Sequence, residues 1–184
     1  EIGQTVDRAT TLANQMLSLA KVEQLRQQPE LRPMDLAQAV RSVALDLSPL
    51  LAEKDIDFDI DTVPATVLSH EWMLGELTRN LLHNAIKHTP QGGTLAVRIV
   101  CDSSYAALTI SDSGPGISDE LAARLYQPFS AGNVRQGSGL GLAICREIAE
   151  ALGGSLSLDN RIVHGRITGL DATARLPLKG GLQT

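Results

Sequence analysis

Glu76, Asn80, Asn84 and Lys87 follow one another at steps of four, four and three, so on a helix their side chains form a single polar stripe. Leu74, Leu77, Leu81, Leu82, Ala85 and Ile86 recur at helical spacing around them and make the rest of that helix apolar. Asparagine is a poor helix former, and two of them on so apolar a helix require partners for their amides. A hydrated magnesium ion is one such partner: it takes hard oxygen ligands, keeps several waters and leans on phosphate oxygens. Taken alone, Asn80 and Asn84 are better read as ordinary solvent-facing residues.

A second group is Asp112-Ser113-Gly114-Pro115-Gly116-Ile117, where the alternating, β-rich stretch 107–111 runs out into a glycine turn. A carboxylate there can accept a hydrogen bond from an amino group such as the exocyclic amine of adenine, with Gly114 and Gly116 letting backbone approach a flat base. A plain strand-to-helix turn, with Ser118 capping a helix that begins at Asp119, explains the glycines but not their company. The third group, Gly137-Ser138-Gly139-Leu140-Gly141-Leu142, opens straight into an apolar helix over 140–152. Bare amides at a helix N-terminus receive phosphates. The string lacks the Lys-Ser/Thr of a P-loop, no apolar strand precedes it as a dinucleotide fold requires, and the eukaryotic-type kinase signatures are absent.

In this order the three stretches resemble the asparagine box and the two glycine boxes of the ATP-binding catalytic domain of bacterial sensor histidine kinases, in the superfamily that also holds gyrase B, Hsp90 and MutL. Tyr126-Gln127-Pro128-Phe129 resembles that family's phenylalanine box, and 130–138 its lid, which is expected to gain order with nucleotide. The resemblance covers nearly the whole chain. It implies ATP and Mg2+ as ligands, with the metal on Asn80 and Asn84, adenine on Asp112 and the phosphates on Gly137, Gly139 and Gly141. It further implies nucleotide contacts from Asn84, Lys87, His88, Gly114, Gly116, Ile117, Phe129, Arg135, Ser138, Leu140 and Leu142, and catalytic roles for Asn80 and Lys87.

Hsp90, gyrase and MutL carry a glutamate where this chain has Asn80. An amide cannot accept a proton at neutral pH, so direct activation of water is disfavoured. Phosphoryl transfer needs mainly positioning and charge neutralisation, which metal, Lys87 and backbone amides supply. The activity implied is transfer of the ATP γ-phosphate to a histidine, for relay to an aspartate on a response-regulator receiver domain. A neutral imidazole attacks without prior deprotonation. Two alternatives stay open: a nucleotide-sensing or protein-docking module without turnover, and an ATP-hydrolysing clamp of the gyrase or Hsp90 kind.

The elements that must position these groups follow from periodicity. Ile2, Val6, Ala9, Ala13, Met16 and Ala20 form a heptad seam, widened by Leu12, Leu17 and Leu19, and predict a helix over 1–27 that needs a partner. This helix resembles the second helix of the family's dimerisation and phosphoacceptor hairpin, which implies a homodimer; packing on its own domain is the alternative from periodicity alone. The family's histidine with its acidic neighbour and Arg-x-Pro is absent, because His70-Glu71 continues as Trp72-Met73-Leu74. The acceptor is therefore expected upstream of Glu1. His70, His83 and His164 are read as solvent-facing or packing residues.

Three segments are expected: 1–28 as hairpin helix, 29–179 as catalytic domain and 180–184 as tail. Helices are predicted over 36–53, from a Ser69 cap to 88, over 119–126 and over 140–152. Strands are predicted over 31–34, 56–61, 66–68, 94–101, 105–111, 155–158 and 170–176. The fold class is α/β: a two-layer sandwich of a mixed sheet covered by helices on one face, preceded by one long amphipathic helix. The stretch 159–169 is longer and more basic than the family's closing hairpin, and no role is assigned to it.

Composition agrees. A chain of 184 residues that is 43% hydrophobic can bury one core plus a helical appendage. Net charge of -5 and 3% aromatic content weigh against nucleic-acid binding. The two cysteines, Cys101 and Cys145, show no ligand spacing and read as reduced thiols. No stretch is apolar enough to span a bilayer, and the resemblance implies a cytoplasmic domain of an inner-membrane-anchored receptor, without membrane contact of its own.

Overall fold

The computed structural model describes residues 2–28, 30–125 and 140–180, the side chain of Leu140 excepted. The chain runs α1 (Ile2–Arg26), β1 (Arg32–Asp35), α2 (Leu36–Asp46), α3 (Ser48–Glu53), β2 (Asp57–Asp61), β3 (Thr66–Ser69), α4 (Glu71–His88), β4 (Thr94–Cys101), β5 (Tyr105–Asp112), α5 (Asp119–Leu125), α6 (Leu140–Ala151), β6 (Ser155–Val163) and β7 (Arg166–Pro177). Five strands form a mixed sheet in the order β2-β4-β5-β7-β6, with β2 parallel to β4 and the other pairs antiparallel. β1 and β3 pair separately as a two-stranded ribbon. The expected mixed sheet under helices is therefore present.

Strand alternation decides which face carries the core. Leu95, Val97 and Ile99 of β4, Ala106, Leu108 and Ile110 of β5, and Ala172, Ala174 and Leu176 of β7 are all buried, whereas Arg98 and Val100 are exposed. α4 and α6 pack on the buried face, and α2 packs on α4. Asp112 is the next inward position after Ile110, so the period-two rule aims an acidic side chain at the helix layer. α4 contributes Met73, Leu74, Leu77, Leu81, Leu82, Ala85 and Ile86 to the same core.

Three local expectations change. The single helix over 36–53 is broken at Leu47, because Pro49 has no N–H to continue the ladder and instead sits in the first turn of α3, while Ser48 Oγ donates to Leu45 O at 2.7 Å. Ser69 does not cap α4. Its pairing with Arg32 extends β3 through it, its hydroxyl donates to His70 O, and His70 takes the cap position without a side-chain bond. The strands over 155–158 and 170–176 are longer than expected: β6 and β7 stay paired out to Val163 and Arg166. The stretch 159–169 is thus a hairpin, closed by His164 at φ 50 and Gly165 at φ 74, the two positive values that a tight primed turn requires. The helix predicted over 119–126 is found as α5 over Asp119–Leu125, and residue 126 lies outside the described residues.

The C-terminal half of α1 is tied to the domain. Val22 is fully buried, Lys21 Nζ lies 4.6 Å from the centre of the Trp72 ring, and Arg26 pairs with Glu147 of α6 at 3.0 Å. The heptad seam is not used in this way: Ile2, Val6 and Met16 are 84%, 57% and 50% exposed. Among the described residues no helix is long and apolar enough to cross a membrane.

Candidate functional site

The polar stripe of α4 lies along one edge of the helix layer, with Glu76, Asn80 and Asn84 half-buried and Lys87 exposed. Asn80 is oriented by its neighbour one turn earlier: Nδ2 donates to Glu76 O at 2.8 Å and to Glu76 Oε1 at 3.1 Å. A carbonyl oxygen accepts only from a donor, so this bond assigns the amide nitrogen and leaves Oδ1 on the other side. That oxygen faces the start of α6, where a Cβ built on Gly141 would lie 3.4 Å from it. Glu76 Oε1 also accepts from Ser18 Oγ of α1 at 3.2 Å, so the long helix reaches the asparagine through one carboxylate.

At the other end of the stripe, the exit of β5 meets the last turn of α4. Asp112 is 3% exposed. Its Oδ1 accepts from Gly114 N at 2.8 Å and Leu170 N at 3.2 Å, while no bond to Oδ2 is found among the described residues. Gly114 lies against α4, since a Cβ there would come within 2.4 Å of His88 O. Burial holds the His88 imidazole below its ordinary pKa, Lys87 and Lys54 push the same way, and the Asp112 carboxylate opposes them. From Asn80 to His88 the helix advances about 12 Å at about 1.5 Å per residue. One end of this edge therefore presents an amide oxygen at a helix N-terminus, and the other a buried carboxylate with a spare oxygen.

Hard oxygen at Asn80 Oδ1, directed at the N-terminal turn of α6, suits a magnesium-bound phosphate: the amide supplies the metal ligand and the helix end supplies N–H donors. Asn84, one turn on, has no hydrogen bond among the described residues, which leaves its amide available on the same stripe. Among the described residues no cluster of three or more His, Cys, Asp and Glu side chains could hold a metal by itself. The oxygen donors that this stripe itself offers are therefore amide oxygens.

The structure brings together Asn80, Asn84, His88, Asp112, Gly114, Ile117 and Gly141. Lys87 stands slightly apart, lining a groove of about 380 Å³ with Leu50, Glu53, Lys54, His83, Ile86 on the α3 side of α4. Leu142 is buried in the core behind the α6 N-terminus rather than displayed in the cleft. Phe129, Arg135, Gly137, Ser138 and Gly139, with the phenylalanine box and the lid segment, lie outside the described residues, as does the side chain of Leu140. At Gly114 a side chain would meet His88 O, and at Gly116, whose φ is +75, it would meet Asn160 Oδ1 and Ile167 Cγ2.

Sequence reasoning missed Lys54. Its ammonium donates to Ile86 O, Lys87 O and Thr89 O at 2.8, 2.9 and 2.7 Å, closing the C-terminus of α4 just beneath the site. It also missed Asn160 and Arg161, which reach the Asp112 turn from β6. Their signal was the basic, over-long stretch itself.

Residues 70–180 match the family described as histidine kinase-, DNA gyrase B-, and HSP90-like ATPase. Over 180 residues, 96% of this chain, the sequence is 29% identical to the sensor protein kinase PmrB of Pseudomonas aeruginosa, and over 177 residues, 94% of the chain, it is 32% identical to the signal transduction histidine-protein kinase/phosphatase MprB of Mycolicibacterium smegmatis. These matches span 37% and 35% of the relatives' own lengths, so the chain corresponds to about a third of such a protein. Among solved structures, the mycobacterial sensor histidine kinase MprB superposes with a TM-score of 0.68 at 30% identity, covering 81% of this chain and 98% of that one. Full-length ShkA in complex with AMPPNP superposes at 0.75 and 26% identity, covering 95% of this chain and 37% of that one.

Proposed function

The chain belongs to the histidine kinase-, DNA gyrase B-, and HSP90-like ATPase family, as a sensor histidine kinase catalytic domain, and from that premise we propose how its residues work. The domain binds ATP with Mg2+ along the α4 edge and presents the γ-phosphate to a histidine imidazole carried on a hairpin helix. The observation that supports this most directly is the pairing of Asn80 Oδ1 with the α6 N-terminus at one end of that edge and of the Asp112 carboxylate with the β5 exit at the other.

Asp112 Oδ2 accepts from the adenine amine while Oδ1 stays bound to Gly114 N and Leu170 N, so the acid reads the base without moving. Asn80 and Asn84 would hold the metal through their amide oxygens, with Asn80 kept in orientation by Glu76. When bound, magnesium supplies neutralisation of the phosphate charge. Backbone N–H groups at the start of α6 take the phosphate oxygens, and Lys87 adds positive charge from the end of α4. No base at position 80 removes a proton from water, and the neighbouring Glu76 Oε1 is engaged with Ser18 and Asn80, so an imidazole acceptor suits the site better than hydrolysis.

The exposed seam of α1 is the surface through which the parent kinase pairs with a second copy, and the phosphoryl group passes on to a response-regulator aspartate. On this reading the domain is the cytoplasmic part of an inner-membrane-anchored receptor, in the compartment that supplies ATP. Calorimetric titration with ATP, with and without Mg2+, tests the assignment. The wild-type chain should bind more tightly with the metal, and Asn84→Ala should lose that increment; an unchanged increment removes the metal assignment. Labelled phosphate appearing on a supplied histidine-bearing hairpin supports transfer, and binding without transfer refutes it.

A further inference from the structure

The β6–β7 hairpin touches the turn that follows Asp112 through a set of contacts that strand pairing alone does not explain. Asn160 faces Ile117 with both ends of its amide: Oδ1 accepts from Ile117 N at 2.8 Å and Nδ2 donates to Ile117 O at 2.8 Å. Next to it, Arg161 Nη2 donates to Asp112 O at 2.5 Å, while Nη1 pairs with Asp171 at the same distance. The two residues therefore grip the Asp112–Ile117 turn at its first and last backbone carbonyls.

Three further features make room for this grip. Gly116, at φ +75, leaves the space in which Asn160 Oδ1 sits; a Cβ there would approach it to 2.4 Å. Gly169 is the strand partner of Arg161, and a Cβ on it would collide with both Asp112 O, at 1.9 Å, and Arg161 Nη2, at 2.3 Å. The β6–β7 register shifts between Arg161 and Ile162, the kind of irregularity that re-aims a side chain beside a functional site. Asn and Asp are depleted from strands, so Asp159-Asn160 in β6 is unfavourable by propensity and is offset by these bonds.

We infer that Asn160 and Arg161 are specificity-positioning residues, which clamp the Asp112–Ile117 turn so that the spare carboxylate oxygen of Asp112 is fixed where adenine's amine arrives. The inference rests on the reading of Asp112 as the adenine acceptor. It assigns the 159–169 hairpin the task of choosing the base. Neither residue touches the ligand; they act through the backbone that carries Asp112. A guanine ring carries a carbonyl oxygen where adenine carries its amine, so a loosened turn should lose discrimination between the two bases more than it loses phosphate binding.

The experiment is calorimetric titration of the chain with MgATP and with MgGTP, for wild type, Asn160→Ala, Arg161→Ala and Arg161→Lys, alongside urea midpoints. Wild type should prefer ATP. Asn160→Ala should weaken ATP about tenfold, the worth of one or two hydrogen bonds, while GTP changes little. Arg161→Lys keeps a cation beside Asp171 but lacks the second arm of the fork, so it should recover most of the stability lost in Arg161→Ala and little of the ATP preference. With Asp112→Asn already present, Asn160→Ala should have no further effect on the ATP:GTP ratio. Equal weakening of ATP and GTP in step with stability, or an ATP preference retained in Asn160→Ala and Arg161→Lys, overturns the clamp. A wild-type chain with no preference for ATP overturns the Asp112 reading instead, and the two failures are thereby distinguished.

Discussion

Replacing Asp112 by asparagine changes one oxygen to an NH2 group at a position that is 3% exposed. The side chain will keep its oxygen toward Gly114 N and Leu170 N, because the alternative buries two N–H donors against a third donor. The new NH2 then occupies the place of Oδ2. In the wild type that oxygen offers a charged acceptor to the adenine amine, a bond worth about 1.5–3 kcal/mol. In Asp112→Asn a donor meets a donor, and the whole of that contribution is lost. The affinity for ATP should fall roughly ten- to a hundredfold at about 1.4 kcal/mol per decade.

The same change should leave GTP binding equal or improved, since its ring oxygen can accept from the new amide. The metal-dependent part of binding, measured as the difference with and without Mg2+, should not move, as Asn80 lies about 12 Å along α4 from His88, the residue that Gly114 of the Asp112 turn packs against. Titration calorimetry with both nucleotides reads all three quantities, and a free energy of unfolding in urea within about 1 kcal/mol of wild type shows that the two backbone bonds persist. ATP affinity within twofold of wild type would refute the claim that this carboxylate reads the base, whatever its burial.

Lys54→Met should destabilise the fold by about 1.5–3 kcal/mol, as three carbonyls at the end of α4 lose one ammonium; urea denaturation reads the loss, and a midpoint equal to wild type would show that water replaces it. Burial and neighbouring cations hold His83 and His88 below the ordinary value of 6.5, so the unfolded chain binds protons there that the folded chain refuses. Stability should accordingly fall as pH is lowered from 7.5 through 6.5, and His83→Gln/His88→Gln should flatten that fall; parallel pH profiles would exclude the contribution. Cys145 is fully buried and burial pushes its thiol up, whereas Cys101 is exposed, so alkylation of the native protein counted by mass should modify Cys101 alone until denaturant is added.

What was legible in the sequence is what local spacing encodes. The stripe on α4 could be written down from steps of four and three, and the place of Asp112 at the exit of β5 from the alternation before it, because helix and strand geometry turn such intervals directly into positions. Ser118 was likewise correctly placed: its hydroxyl accepts from Leu121 N at 3.2 Å. Errors arose where a second element took over a residue that local chemistry had claimed. Ser69 is a good cap in isolation, but pairing with Arg32 makes it strand. Around the Asp112 turn, a side chain at Gly114 or Gly116 would meet His88 or Asn160, contacts that local spacing does not reveal.

The clamp residues expose the limit most clearly. Asn160 meets Ile117 across 43 positions and Arg161 meets Asp112 across 49, through a register shift that no periodicity announces. Yet the principle that singled out Asn80 and Asn84 applies unchanged: a residue that its own secondary structure disfavours is there for a contact. Asn160 in the strand β6 meets that criterion as fully as Asn80 in α4, and each proves to hold an amide at a fixed angle beside one end of the same cleft. Poor propensity inside a regular element therefore marks both ends of this site. The second was harder to see because β6 had first to be recognised as a strand that far along.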